Sequence, residues 1–221
     1  MVRFVSCVLA CLIAGSVDSG GTFAISGIVR DTRRQSVRAA RIEVVAPGFE
    51  GRFVVSDGNG RYRILDLSGG VQLHASRDGY FSHVRAVATT DDSVVDFILQ
   101  PLHRVAIGEA VRAVLTSDYP TCAGQDYGDA GPRARGVLCY RLLVTASANG
   151  TMVVVLTWDR RNTLALALIA PDGRSVQSWD GVGGTNLEMP VQRGSTYEVR
   201  VLDQRGRLGA DQDFELRTAL R

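Results

Sequence analysis

The chain has 221 residues, of which 45% are hydrophobic and 22% are charged, so it is long and apolar enough for one or two folded domains. Its formal net charge of +2 gives no reason to expect a nucleic acid partner, because all 25 basic residues are arginines spread along the chain. Hydrophobic residues recur mostly at every second position, and 24 glycines mark frequent turns. This pattern predicts an all-β protein.

The N-terminus has the pattern of an export signal. Arg3 precedes the apolar run Phe4–Gly15, which is too short to cross a bilayer as a helix, and small residues follow it. We therefore predict a signal peptide over residues 1–22 and a mature protein in the periplasm or outside the cell, with no later transmembrane segment. Lipid attachment at Cys11 is a second interpretation, although cleavage there would leave a very short apolar core.

Residues 23–102 consist of short alternating runs separated by turn signals. The pattern predicts strands over residues 23–31, 41–46, 52–56, 61–67, 71–76, 82–89 and 94–100. Strands of this length and number are typical of an antiparallel β-sandwich with Greek-key connections.

The turn-forming run Asp57–Gly60 lies between two of these strands and has two interpretations. Asp, Asn and Gly tolerate left-handed backbone conformations, which favours a hairpin tip. A calcium loop of the EF-hand kind would need oxygen ligands at alternating positions and a distal glutamate. Arg61 interrupts that spacing and no glutamate follows at the right distance, so we interpret the run as a structural turn.

Several short motifs in this segment occur in the order and spacing of a known domain. They are Gly27-Ile28-Val29 with Asp31, Ala40, Ile42–Val44, Ser56–Ile64, Gly70 and Asp78–Tyr80. Together they resemble the carboxypeptidase regulatory-like domain, which implies a transthyretin-like sandwich of the carbohydrate-binding-like fold. One departure is the first turn, where Arg33, Arg34 and Gln35 replace the small glycine turn usual in that family.

Residues 103–221 have the pattern of a second β-sandwich. Its clearest predicted strands cover residues 139–147, 151–159, 163–173, 195–203 and 213–220. These runs resemble a bacterial pre-peptidase C-terminal domain, which implies a jelly-roll-like accessory module of secreted proteins. The family often has acidic residues where this chain has Thr163, Ala165 and Ala167, so the resemblance implies no ion or ligand role for those positions.

Cys122 and Cys139 form an even pair in the predicted mature chain, which suits an oxidising compartment. A disulfide between them would close a polar loop and stabilise the fold by about 3 kcal/mol. The alternative is a pair of metal ligands, but the sequence has neither a second CxxC motif nor a nearby histidine.

The sequence contains no recognisable catalytic motif. It has no GxSxG or HExxH motif and no phosphate-binding glycine loop, and His74, His83 and His103 lie apart. Acidic pairs fall in predicted turns, with a calcium site at Asp203, Asp211 and Asp213 as an alternative. We therefore predict no catalytic residues, no cofactor and no metal.

Sugar binding requires an exposed aromatic ring with planar hydrogen-bonding groups beside it. Trp179 and Asp180, with Gln177 nearby, lie in a polar, glycine-rich loop and are the candidate ligand-binding residues. The alternative is that Trp179 packs onto the sandwich. Tyr80 is interpreted as scaffold and Trp158 as core.

These observations together predict an exported, non-enzymatic protein of two β-sandwiches. The first hypothesis is a binding module for a carbohydrate or an envelope protein, recognised by surface loops. The alternative is a structural or accessory protein that stabilises or displays a secreted or envelope partner, without a small ligand. An enzyme with a dispersed active site is a third hypothesis.

Overall fold

The computed structural model describes residues 21–88, 91–122, 137–161, 163–178, 182–203 and 211–221, and within these ranges it consists of strands β1 to β18. The strands of the first domain are β1 (Phe23–Asp31), β2 (Arg41–Val45), β3 (Phe53–Val55), β4 (Arg61–Leu67), β5 (Val71–Ser76), β6 (His83–Val87), β7 (Ser93–Val94) and β8 (Phe97–Leu99). The all-β prediction is confirmed. In the part of the chain that the structure describes, no helix could span a membrane.

Two four-stranded sheets build the first domain. One has the order β4-β1-β7, with β8 also paired to β1, and the other has the order β3-β2-β5-β6. Period-two alternation turns one side of each strand inward, where Ile25, Ile42, Leu73 and Phe97 are completely buried. The opposite side of the β3-β2-β5-β6 sheet faces outward.

The prediction of one continuous strand over residues 94–100 is wrong. The chain divides it into β7 and β8, and both pair with β1 in parallel, so the sandwich is not purely antiparallel. Tyr62 Oη donates a hydrogen bond to the carbonyl oxygen of Val95 at 2.5 Å, and Asp96 Oδ1 accepts one from the amide of Ile28 at 2.8 Å. These side-chain bonds replace ladder bonds and fix the irregular segment against β1.

The turn at Asp57–Gly60 is structural, as interpreted from the sequence. Asp57 Oδ1 accepts hydrogen bonds from the amides of Asn59 and Arg61, both at 2.8 Å. The predicted hairpin tip is nevertheless wrong, because β3 pairs only with β2 while β4 pairs with β1. The turn therefore carries the chain from one sheet to the other, and its carboxylate is occupied by its own backbone.

The second domain contains the remaining strands: β9 (Arg104–Ala106), β10 (Ala110–Leu115), β11 (Thr121–Cys122), β12 (Val137–Thr145), β13 (Gly150–Trp158), β14 (Leu164–Ile169), β15 (Ser175–Ser178), β16 (Gly184–Val191), β17 (Thr196–Asp203) and β18 (Gln212–Leu220). One sheet is four-stranded, β10-β18-β13-β16, and the other is six-stranded, β11-β12-β17-β14-β15 with β9 beside β12. Five of these strands, β9, β10, β11, β15 and β16, extend the set predicted from the sequence.

Strand β14 is buried on both sides. Its leucines lie in the main core of the second domain. Ala165 and Ala167 form a smaller cluster with Cys122, Cys139 and Leu202 on the opposite side of the sheet. Cys122 and Cys139 are joined by a disulfide with a Cα–Cα distance of 5.6 Å, so the predicted pairing is confirmed.

The two domains have separate cores, one drawn from residues 23–99 and one from residues 105–216. The exact boundary at residues 102 and 103 stays a prediction. A junction between the domains is formed by Gln100, which is only 3% exposed. Its side-chain amide donates to the carbonyl oxygen of Arg141 at 2.6 Å and accepts from the amide of Arg141 at 2.9 Å.

The Gln100 amide continues a backbone ladder. Strand β9 pairs with β12 at Leu143–Thr145, and the amide of Leu143 donates to the carbonyl oxygen of His103 at 2.8 Å. Arg141 lies two residues further along β12, beyond the reach of β9, so the side chain of Gln100 supplies the partner that a strand would otherwise provide. Gln100 is therefore a buried polar side chain with a structural role.

Replacement of Gly27 by alanine tests the close approach of β1 to the segment between β7 and β8. A Cβ at residue 27 would lie 2.0 Å from the carbonyl oxygen of Val95. We expect Gly27→Ala to lower the free energy of unfolding by about 3 kcal/mol, because backbone must move to relieve the clash. Urea denaturation measures this change. Gly58→Ala is the matched control, since its Cβ would meet no atom within 4 Å.

Replacement of Gln100 by alanine tests the junction. We expect Gln100→Ala to lower the free energy of unfolding by about 3 kcal/mol, because a buried amide and a buried carbonyl of Arg141 lose their partner. Gln72→Ala, at an exposed position on β5, should change it by less than about 0.5 kcal/mol. Equal effects of the two substitutions in thermal or urea unfolding would contradict the role given to Gln100.

Candidate binding surface

The structure describes only part of the predicted sugar site. Gln177 lies on β15 and pairs with Ala167 of β14. Trp179 and Asp180 lie outside the described residues, so their predicted role in ligand binding stays a prediction.

The other aromatic residues singled out in the sequence have structural positions. Tyr80 packs against the core of the first domain, and Trp158 is buried in the core of the second. Phe81 is buried, and the guanidinium carbon of Arg141 lies 4.2 Å from the centre of its ring. The interpretations of Tyr80 as scaffold and Trp158 as core are therefore confirmed.

Two of the three histidines have local structural partners. His83 Nδ1 lies 3.2 Å from the carbonyl oxygen of Ile98, and its ring meets Phe97 edge to face. His103 Nδ1 lies 2.5 Å from Tyr140 Oη. His74 is partly exposed on the outward side of β5.

Asp203, Asp211 and Asp213 do not form the alternative calcium site. Within the described ranges, no three His, Cys, Asp or Glu side chains are grouped to hold a metal ion. Asp203 is buried at the end of β17, whereas Asp211 and Asp213 are exposed around the start of β18.

The most distinctive surface is the outward side of the β3-β2-β5-β6 sheet. Sequence reasoning did not single it out. Its apolar members are Phe53, Val55, Val45 and Val84, which are 46%, 51%, 50% and 45% exposed. Their polar neighbours are Arg41, Glu43, Gln72 and His74, and we call these eight residues the Phe53 face.

Strand register places the polar and apolar groups of the Phe53 face side by side. Glu43 pairs with Phe53 on one flank and with His74 on the other. His74 in turn pairs with Val84 of β6. One row across four strands therefore presents an aromatic ring, a carboxylate, an imidazole and an aliphatic group.

Arg41 organises the aromatic end of the Phe53 face. Its guanidinium carbon lies 3.6 Å from the centre of the Phe53 ring, and Arg41 Nη2 lies 3.5 Å from Glu43 Oε1. A guanidinium stacked on a ring is held in one orientation by the cation–π attraction and by the carboxylate. The arrangement combines an exposed ring with planar donors and acceptors, which is the combination predicted from the sequence around Trp179.

Alternation alone could have placed Phe53 and Val55 on one side of β3, but it could not show that this side is exposed. The preceding strand runs as Arg41, Glu43 and Val45 on the same side, so the polar residues were the available signal. Which side of the sheet packs on the core is fixed by the second sheet, not by residues 53–55 themselves.

In the second domain, the buried carboxylate of Glu198 forms ion pairs with two arginines. Glu198 Oε1 lies 2.6 Å from Arg141 Nε and 2.6 Å from Arg200 Nε. Burial would raise the pKa of Glu198, but the two guanidinium groups outweigh it and hold that pKa below its ordinary value. This carboxylate is therefore a structural partner of the junction residue Arg141.

The architecture defines an all-β protein of sandwich domains. Residues 24–100 match the family model described as the carboxypeptidase regulatory-like domain, so the resemblance predicted for the first domain is confirmed. A search of curated protein sequences gives no match.

Solved structures give matches at low identity. The pre-peptidase C-terminal domain of collagenase from Bacillus anthracis is 9% identical with a TM-score of 0.39, over 53% of this chain and 93% of that chain. Catechol 1,2-dioxygenase from Acinetobacter sp. ADP1 is 15% identical with a TM-score of 0.32, over 40% of this chain and 55% of that chain. A DUF3823 family protein from Parabacteroides merdae is 12% identical with a TM-score of 0.30, over 90% of this chain and 98% of that chain. Such low scores transfer no function to this chain.

The environment of His83 generates a prediction about pH. Burial lowers the pKa of His83 to about 4, with a smaller contribution from the nearby Arg85 and Arg141 and against the opposing effect of the hydrogen bond with Ile98. An unfolded chain takes up this proton near pH 6.5, so it binds more protons than the folded protein between these values. The contribution to stability is therefore full above about pH 6.5 and is lost as the pH falls towards 4.

We expect the free energy of unfolding to fall by about 3 kcal/mol between pH 6.5 and pH 4 through this one group. His83→Gln should remove most of that slope, as measured by urea denaturation at a series of pH values. An unchanged slope in the variant would assign the pH dependence to other groups.

Proposed function

We propose that this protein is an exported, non-catalytic binding protein that recognises a carbohydrate at a cell surface. The observation that carries the proposal is the Phe53 face. An exposed ring beside Arg41, Glu43, Gln72 and His74 offers apolar stacking together with planar hydrogen-bonding groups. Sugars have the matching chemistry, with C–H faces that stack on rings and hydroxyls that bond to side chains of this kind.

Export is supported by the signal-like N-terminus and by the disulfide between Cys122 and Cys139. Disulfides persist in oxidising compartments such as the periplasm and the cell exterior. The periplasmic or extracellular location is part of the proposal. His83 and His103 take part in packing and local hydrogen bonds, which favours a binding role over an acid–base role.

A second candidate function is to stabilise or display a secreted or envelope protein. The observation that favours it is the apolar share of the same face, where Val45, Phe53, Val55 and Val84 are each about half exposed. Exposed apolar groups interleaved with polar ones are found in protein contact surfaces. A protein partner and a glycan would thus use overlapping residues.

A glycan array on the mature protein tests the proposal. We expect Phe53→Ala to weaken the strongest glycan signal about tenfold, because the exposed part of the ring contributes about 1 kcal/mol or more on burial. Val94→Ala, which alters a 76% exposed side chain outside the face, is the control and should keep the signal. Trp179→Ala shows in parallel whether the loop predicted from the sequence contributes.

The result also separates the two candidate functions. No glycan signal above background would reject the carbohydrate proposal. In that case, cross-linking of the exported protein in intact cells, lost in Phe53→Ala and kept in Val94→Ala, would support the protein partner. Glycan binding that is unaffected by Phe53→Ala but lost in Trp179→Ala would assign the site to Trp179 and its neighbours.

A further inference from the structure

A cleft of about 330 Å³ lies on the outward side of β1 and β8, with Asp118 of the second domain at its edge. The side chains that matter for its chemistry are Ile28, Arg30, Arg34, Asp96, Ile98 and Asp118. Clefts of this size at domain interfaces are frequent small-molecule sites.

The loop between β1 and β2 contributes Arg34 to the cleft, where Arg34 contacts Asp118. Arg34 Nε and Nη2 lie 3.1 and 2.9 Å from Asp118 Oδ2, which bridges the two domains. Arg34 has a φ of 63°, in the left-handed region that is unfavourable for a residue with a side chain. Such strain persists where surrounding contacts fix it, and it is concentrated at binding sites.

The junction holds the same two domains together. Gln100 is bonded to both backbone groups of Arg141, and Arg141 Nη1 also lies 3.3 Å from the carbonyl oxygen of Ser82. These contacts lie outside the lining of the cleft, but they hold the domain of Asp118 beside the first domain.

Arg30 and Asp96 are the two oppositely charged side chains of the cleft that are available to a ligand. Among the described residues, the guanidinium of Arg30 has no hydrogen-bond or ion-pair partner. Asp96 uses Oδ1 to accept from the amide of Ile28, which leaves its Oδ2 open within the same part of the chain. Arg34 and Asp118, by contrast, neutralise each other.

The open charges are separated by apolar surface. Arg30 pairs with Ile98 in the β1–β8 register, while the carboxylate of Asp96 sits at the amide of Ile28. Residues 28 and 30 are two positions apart on one strand, so their Cα atoms are about 7 Å apart. A ligand in the cleft therefore meets a cation at one end, an anion at the other, and Ile28 and Ile98 between them.

We propose that this cleft binds the zwitterion of a free amino acid with an apolar side chain. Its carboxylate accepts from Arg30, its ammonium group donates to Asp96, and its side chain packs on Ile28 and Ile98. Each contact to a charged group is a strong hydrogen bond. A ligand with one charge could pair with only one of these two side chains, so a zwitterion is favoured. This site is separate from the Phe53 face and goes beyond the proposed function.

Isothermal titration calorimetry of the full mature protein tests the proposal with three ligands of similar shape. L-Leucine carries both charges, 4-methylpentanoate lacks the ammonium group, and 3-methylbutylamine lacks the carboxylate. We expect L-leucine to bind about tenfold more tightly than either analogue, the factor given by one charge-assisted hydrogen bond.

Two variants assign the charges. Arg30→Gln should remove the preference for L-leucine over 3-methylbutylamine. Asp96→Asn should remove the preference over 4-methylpentanoate, while its amide oxygen still accepts from Ile28. Arg63→Gln, at an exposed position on β4, is the matched control and should leave all three affinities unchanged. Thermal unfolding of each variant confirms that the fold is retained.

Three outcomes would overturn the proposal. They are the absence of L-leucine binding at millimolar concentration, equal affinity for all three ligands, and equal effects of Arg30→Gln and Arg63→Gln. Phe53→Ala should not change L-leucine binding, and Arg30→Gln should not change the glycan signal, so failure here is distinguishable from failure of the proposed function.

Discussion

The side-chain amide of Gln100 is the interaction on which the arrangement of the two sandwiches depends. It forms hydrogen bonds with the backbone carbonyl and amide of Arg141, at a position of β12 with which β9 does not pair. An open strand position at a domain boundary would otherwise bury an amide and a carbonyl without partners, at a cost of about 1–3 kcal/mol each. Gln100 belongs to the first domain and Arg141 to the second. The hydrogen bonds that complete the backbone pairing of β12 therefore also join the two domains.

Arginine performs several different tasks in this chain. Arg141 bonds Glu198, stacks on Phe81 and contacts Ser82, so one guanidinium serves both domains. Arg41 stacks on an exposed ring, and Arg34 bridges to Asp118. A planar fork with five donors suits each of these geometries, whereas an ammonium group would offer only a point charge. The exclusive use of arginine therefore shapes the junction, the Phe53 face and the cleft.

Local patterns predicted the features that depend on nearby residues. Alternation identified the long strands. The Asp57–Gly60 run was recognised as a turn because Asp, Asn and Gly tolerate left-handed conformations, and in the structure the Asp57 carboxylate accepts from its own backbone. The pairing of Cys122 with Cys139 followed from an even count in an oxidising setting. The division of residues 94–100 into β7 and β8 was missed because its cause is a distant side chain, Tyr62, which bonds the backbone there.

The candidate sites depend on contacts between segments far apart in the chain. The sequence by itself determined the fold class, the turns and the disulfide, because each follows from the intrinsic preferences of adjacent residues or from composition. Only the tertiary structure decided which side of β3 faces solvent, that Gln100 is buried, and that Arg30, Arg34 and Asp118 border one cleft. Exposure and proximity are properties of how sheets stack on one another, and a period-two pattern is the same whichever neighbour covers it.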